Sequence, residues 1–435
     1  MSLVFPLLRL YLPLALSFEL MMLEGPSVQW AIGRLPEIPT NLAAWGLTMQ
    51  LSLLIESPVI MLLATATALV KNTDTFLALR TFMLRLALWC TLLTAAIAFT
   101  PLLDFICLSL LGQPPPIVEA SRLPLQLMLL WSGAIAWRRF HQGVLVRQGR
   151  TALVTYGTAI RLAAVILPAL ALVAWGKLSG AATAAVAIMV GVLAEALSAS
   201  SFARAVIRTL PTAHEKGDVP LTQKAIAKFH TPLAMTTLLT LATGPLTSAA
   251  IARLPFATQT LAAAPVVFSA LLLLRGWGFA VQEITVAQLK RGTMPEATLA
   301  RFASIVGVLT TLGALLLSLT PLCGLYATAL GVPTDLHHLI RQGVLWGALL
   351  PLIAALSSSV RGVLVARQHT GAIYKGMALG LSVQVLVLIA GIAARFPALP
   401  LASLAFTLGG IAETAFLMAA RRLPSPAAEA ETVLP

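Results

Sequence analysis

The sequence predicts an all-α polytopic membrane protein with 12 transmembrane helices. Three observations carry this. Of the 435 residues, 58% are hydrophobic and only 10% are Asp, Glu, Lys or Arg, where soluble domains carry about 25% charged residues; the mean hydropathy is +0.91; and no stretch sustains the period-2 alternation of a transmembrane barrel. A hydrocarbon core ~30 Å thick takes about 20 apolar residues per helix. Runs of that length fall near 10–32, 42–70, 82–108, 122–146, 152–175, 178–207, 229–252, 261–289, 302–330, 339–366, 372–394 and 399–420.

Loop charges orient these spans, because Lys and Arg are retained on the cytoplasmic side. Of the 29 basic residues, 21 fall at the N-terminal side, in the even-to-odd connections or after the last span. Six (Arg34, Arg122, Lys177, Arg253, Arg341 and Arg395) fall in the opposite loops, and Arg161 and Arg275 lie within spans. Both the N and C termini are therefore expected in the cytoplasm. Arg138, Arg139 and Arg361 are counted in this reading with the cytoplasmic loops. The net charge of +13 follows from this topology, and no nucleic-acid partner is expected, since the basic residues are dispersed without aromatic interleaving. A first run that is too long for a signal peptide and contains Glu19 and Glu24 is expected to remain as a span.

Cys90, Cys107 and Cys323 lie in apolar runs without a ligand spacing, and the six His residues lie at helix ends or in loops. Neither a disulfide framework nor a metal site is expected, and no cofactor. The absence of a G-x-x-x-x-G-K-[ST] loop excludes an intrinsic ATP-driven pump, and without G-x-S-x-G, H-E-x-x-H or a sizeable soluble domain the chain is not expected to be an enzyme.

An internal repeat organises the chain. "AIGRLPEIPTNLAA" at 31–44 returns as "AIARLPFATQTLAA" at 250–263, an offset of 219, which also maps "LGQP" at 111–114 to "LGVP" at 330–333. "GVLVRQGRTA" from 143 returns as "GVLVARQHTGA" from 362, and "LAEA" around Glu195 as "IAET" around Glu413. Six spans per half make the two halves parallel repeats. The expected division is an N-lobe at 1–207, a polar cytoplasmic linker at 208–228, a C-lobe at 229–422 and a cytoplasmic tail at 423–435, with the lobes forming two pseudo-symmetric six-helix bundles.

Two bundles joined by a cytoplasmic loop, a Gly-Pro bend in the first helix of each, and the stretches "LEGP…RLP…LAA" and "GW…QEI…AQLKRG" resemble the MOP flippase superfamily that contains the MATE multidrug exporters, and within it most nearly bacterial relatives of the progressive ankylosis (ANKH) transporter. The topology and repeat behind this span almost the whole chain. The resemblance implies a MATE-like pair of lobes around a central inter-lobe cavity, alternating access and efflux of organic solutes, in the inner (plasma) membrane of a bacterium. Relatives of the progressive ankylosis protein imply an organic or phosphate-bearing anion as substrate. No copy of the Asp-centred cation site of many MATE exporters is visible in the first lobe.

The candidate site residues follow in chain order. Gly25 and Pro26 predict a hinge beside Glu24, since Pro removes a backbone donor and Gly eases bending; Gly244 and Pro245 repeat the hinge without the acid. Glu56 lies at the centre of the second span, and adding 219 lands on Arg275 at the centre of the eighth. A lone Arg at mid-bilayer costs at least ~2.5–3.5 kcal/mol, so Arg275 is expected either in a bridge to Glu56 or bound to an anion that displaces a carboxylate, which its planar fork suits. Gln282 lies seven residues on and nearly on the same face, Glu283 about 80° round, and Trp277 flanks them as a stacking surface or as packing. Arg161 and Glu195 are expected as a structural pair. Glu413, without a basic mate in the eleventh span, is a possible proton site.

Three functions fit. The first is a secondary-active exporter of small organic, anionic solutes through a cavity centred on Arg275, with a proton or cation as coupling ion and membrane lipids as surroundings. The second is a proton-coupled multidrug exporter of cationic or amphipathic compounds using Glu24, Glu56 and Glu283, and the third a lipid-linked precursor flippase.

Overall fold

The computed structural model describes residues 4–212, 221–367 and 369–422. The helices are α1 (Val4–Met22), α2 (Glu24–Ile32), α3 (Ile38–Ile60), α4 (Leu62–Leu69), α5 (Thr73–Phe99), α6 (Leu102–Asp104), α7 (Pro115–Leu127), α8 (Trp131–Arg147), α9 (Thr151–Trp175), α10 (Gly180–Arg208), α11 (Gln223–Ala252), α12 (Ala257–Arg291), α13 (Glu296–Leu319), α14 (Leu322–Ala329), α15 (His337–Trp346), α16 (Leu350–Ala366), α17 (Thr370–Ala393) and α18 (Ala398–Ala420). A π-helical turn, Phe105–Leu110, follows α6, and a 3-10 turn, Thr334–Leu336, precedes α15. No strand occurs among the described residues.

Ten helical stretches among the described residues are long and apolar enough to cross a membrane. The two other expected spans, 10–32 and 122–146, are each built from two shorter helices. The first is interrupted at Leu23, where Pro26 has no N–H to return to Met22; the second is interrupted at 128–130, and the same break recurs 219 residues later at 347–349, between α15 and α16. The expected spans 82–108 and 302–330 end earlier, at Phe99 and Leu319, because Thr100 and Thr320 are extended ahead of Pro101 and Pro321, as a residue before proline prefers. Hydropathy continues across both breaks, so an apolar window reads through them. Of the expected linker, residues 213–220 lie outside the described residues, as does the tail at 423–435.

Starts and stops are encoded locally. Asn72 caps α5 by accepting from the Thr75 N–H at 2.9 Å while Thr75 Oγ1 accepts from the Asn72 N–H at 2.9 Å, a reciprocal capping box. Ser179 caps α10 through the Ala182 N–H at 3.3 Å, and Gly176 closes α9 at φ 65, where an L side chain would be strained. Large leucines and a tryptophan stand outward, among them Trp89 at 71% and Leu309 at 62% exposure, a surface suited to acyl chains rather than water.

The contacts divide the chain into two compact units, 27–249 and 1–26 together with 250–435. This partition differs from the expected lobes at two helices: α1 belongs with the later unit and all but the end of α11 with the earlier one. In the later unit, Leu7, Tyr11 and Ala15 of α1 pack with Val281 and Ile284 of α12 and Phe302 of α13, and Tyr11 donates its hydroxyl to the Trp277 carbonyl at 2.8 Å. In the earlier unit, His230 of α11 reaches the Pro58 carbonyl at 2.9 Å and Thr65 at 2.8 Å, on either side of the Met61 break between α3 and α4. That break leaves the Pro58 carbonyl without its helical partner, and the imidazole takes its place.

Lipid tails give apolar side chains little drive to associate, so close crossings rest on small residues. A Cβ at Gly143 of α8 would lie 2.6 Å from the Leu63 carbonyl, and one at Gly362 of α16 would lie 2.9 Å from the Gln282 carbonyl. These are the same positions of the repeat, offset by 219. Likewise a Cβ at Gly191 would meet the Arg161 carbonyl at 3.1 Å, and one at Gly409 the Gly380 carbonyl at 2.7 Å. Both repeats are thus built on the same two helix crossings.

Candidate functional site

Each crossing places charge in the interior of its unit. In the earlier unit, Gly191 lets α9 approach α10 one turn before Glu195, which is 1% exposed. Glu195 Oε2 accepts from Arg138 of α8 and, at 3.4 Å, from Arg161 of α9. Its Oε1 accepts from Gln142 at 3.0 Å and Thr158 at 3.4 Å. Arg161 therefore does reach Glu195, but the nearer guanidinium is that of Arg138. Arg138 and Arg139, expected in a cytoplasmic loop, both lie inside α8, which continues to Arg147, and Arg138 is buried. Arg139 makes no hydrogen bond or ion pair with the described residues, and its Nε is enclosed without a partner.

Glu56, 4% exposed, belongs to this cluster. The opposite charges acting on it come from Arg138, Arg139 and Arg161 of its own unit, and its Oε2 has no hydrogen-bond partner among the described residues. Three guanidiniums thus share an interior with two carboxylates.

The later unit repeats the cluster with its charges rearranged. Gln142 maps onto Arg361, and where Gln142 donates to Glu195, Arg361 of α16 donates to Glu413 of α18 through Nε at 3.0 Å and again through Nη2. The expectation that Glu413 lacks a basic mate holds for α17 alone, because the mate comes from α16. Gly380 stands at the position of Arg161, against the Glu413 side chain. Arg275, at the position of Glu56, lies half-buried over the Phe279 ring at 5.6 Å, an attraction between the cation and the ring face. Its Nε has no partner, and the charges acting on it are Arg361 and Glu413.

The remaining candidates do not all join these clusters. Glu56 and Arg275 fall in different units. Gln282 is half-buried, with its carbonyl at the α12–α16 crossing, and Glu283 is exposed. The Trp277 ring packs on the apolar cluster of α1, α12 and α13, away from Arg275. Glu19 of α1 lies against Gly276, where any side chain would collide with its Oε1. Glu24 opens α2, followed by Gly25 and Pro26 in its first turn, where proline's missing donor is tolerated. The expected symmetric hinge differs between the halves: α11 runs unbroken through Pro232 and Pro245, and Gly244 admits the Gln50 side chain, whose Cγ would lie 3.3 Å from an added Cβ.

No protein-family model matches the sequence, and no curated protein matches it. Solved structures do. An inward-facing multidrug resistance MATE family transporter of the MOP superfamily aligns with a TM-score of 0.69 at 12% identity, over 97% of this chain and 99% of that one. The lipid II flippase MurJ in an inward closed conformation aligns with a TM-score of 0.70 at 10% identity, over 95% and 88%. A MOP superfamily transporter from Pyrococcus furiosus Vc1 (DSM3638), described as having a binding pocket of reverse polarity, aligns with a TM-score of 0.65 at 15% identity, over 95% and 94%. The chain is a multi-pass membrane protein with the fold of these transporter and flippase structures.

Proposed function

We propose that the chain is a secondary-active, alternating-access exporter of small organic anions that spans the membrane twelve times with both termini cytoplasmic. One observation carries the choice of anion: each repeat's cluster holds one more guanidinium than carboxylate. Arg138, Arg139 and Arg161 stand against Glu56 and Glu195, and Arg275 and Arg361 against Glu413. An uncompensated guanidinium in a membrane interior costs at least ~2.5–3.5 kcal/mol, and an anionic solute relieves that cost. Arg139 and Arg275 are the two that make no ion pair among the described residues, and a guanidinium fork binds carboxylate or phosphate in two places at once. The resemblance to bacterial relatives of the progressive ankylosis transporter supports the same substrate class, and the MATE-like fold supports transport.

A proton-coupled exporter of cationic or amphipathic compounds is the second reading, favoured by the unpartnered carboxylate oxygens of Glu19 and Glu56. Flux in proteoliposomes separates them. Arg139→Gln and Arg275→Gln should each lower uptake of dicarboxylates or nucleotides about tenfold or more, the loss of one charged hydrogen-bonding contact, while tetraphenylphosphonium flux is unaffected. Saturable tetraphenylphosphonium transport abolished by Glu56→Gln, with no anion flux in the wild type, would overturn the anion reading.

A further inference from the structure

At one end of the later unit, three turns line an open pocket of about 420 Å³. They are the α11–α12 turn, the turn before α15 and the α17–α18 turn. The volume falls in the ~300–1,000 Å³ range of small-molecule sites. Leu336, Leu339, Leu399 and Phe396 give it apolar walls, and Arg395 and Asp335 stand in the same lining. Both residues are exposed, and neither charged group makes an ion pair or hydrogen bond with the described residues, which leaves both free to take a ligand of opposite charge.

The matching place in the other repeat is built from different side chains. There, in the earlier unit, Asn41 ties two turns together: its Oδ1 accepts from the Ala181 N–H at 3.1 Å and its Nδ2 donates to the Pro36 and Glu37 carbonyls, each at 3.0 Å. Ser179 caps α10 beside it. An offset of 219 puts Thr260 in place of Asn41, and Thr260 turns its hydroxyl back to the Phe256 carbonyl at 2.9 Å. Pro397 precedes α18 with no side-chain cap. The left-handed turn that Gly176 makes at φ 65 is made in the later repeat by Arg395 at φ 51. A non-glycine residue in that region costs about 1–3 kcal/mol, and here it holds a guanidinium at the cavity wall.

We propose that this cavity binds a small zwitterion: a carboxylate at Arg395, an ammonium at Asp335 and an apolar body against the leucines and Phe396, the chemistry of an apolar α-amino acid. The site belongs wholly to one unit, so it stands or falls independently of the anion-transport reading, and it is tested by binding rather than flux. The probe is L-leucine, titrated calorimetrically into the purified full-length protein, with N-acetyl-L-leucine and L-leucinamide as analogues that each lack one charge. L-leucine should bind saturably, and each analogue at least about tenfold more weakly, the scale of one charge-assisted contact. Arg395→Gly, which copies the other repeat and relieves the left-handed strain, should fold at least as well as the wild type and lose binding by a similar factor; Asp335→Asn should do the same, and Arg275→Gln should leave it unchanged. No binding of L-leucine at millimolar concentration, equal binding of N-acetyl-L-leucine, or full affinity in Arg395→Gly would overturn the proposal.

Discussion

Replacing Glu195 by Gln keeps the shape of the side chain and removes its charge from a site that is 1% exposed. Arg138 and Arg161 lose the carboxylate they share, and Glu56 becomes the sole carboxylate facing three guanidiniums. Breaking one side of a buried ion pair costs about 3–5 kcal/mol, which is roughly 10²–10⁴ in the folding equilibrium at 1.4 kcal/mol per decade. The repeat supplies its own control. Glu413 has one guanidinium partner, and the side chains are 15% and 29% exposed, so Glu413→Gln should cost nearer the ~1.5–3 kcal/mol of a hydrogen bond to a charged group. Equilibrium unfolding in mixed detergent micelles, followed by circular dichroism, reads both. Glu195→Gln/Arg138→Gln should recover part of the loss, because it removes the orphaned charge as well. A Glu195→Gln variant within about 1 kcal/mol of wild type, or a larger loss in Glu413→Gln, would refute the argument that burial and partner number set the cost.

Two other expectations are independent of that cluster. Gly143→Val and Gly362→Val each drive a side chain into a crossing where even a Cβ would lie within 3 Å of a backbone carbonyl, so both should strongly reduce recovery of folded protein from membranes, whereas Gly371→Ala, with nothing within 4 Å, should leave it unchanged; equal recovery of all three would remove the crossing argument. Cysteines placed at Arg253 and Arg395 should react with a membrane-impermeant maleimide added to intact cells, and cysteines at Lys290 and Arg421 only after permeabilisation, as the loop charges require; the reverse pattern would invert the topology.

The class of the protein and its two-fold repeat were legible because they are written in quantities that survive averaging. Hydropathy over a span-length window finds the long helices, and the offset of 219 is kept at residues such as Gly143 and Gly362, where only a hydrogen fits. Helix interruptions were less legible, since the apolar composition continues past Pro101, Pro321 and Leu23. The charge clusters were half legible. Glu195, Arg161, Glu413, Glu56 and Arg275 stand out as charges inside spans, but Arg138, Arg139 and Arg361 were assigned to loops, because a loop-charge count treats an arginine near a span end as solvated when a buried carboxylate can hold it inside. One signal was available: Glu195 and Glu413 are repeat mates, and Gln142 and Arg361, also repeat mates, lie at the same turn of the preceding helix pair. Which unit receives the first helix was not legible, since chain order carries no record of where α1 packs.

That last feature bears on how the chain is made. Residues 27–249 form a continuous unit, complete in covalent terms as soon as Ala249 has left the ribosome. The other unit joins the first 26 residues to everything after Ala249. Helix α1 is therefore synthesised well before its partners α12 and α13, with roughly 220 residues between, which at about 5–20 residues per second is a wait of roughly 10–45 s. Throughout that interval Tyr11 and Glu19 lack the α12 surface they pack on, so the nascent chain is exposed to premature pairing at α1 rather than at the segment then emerging.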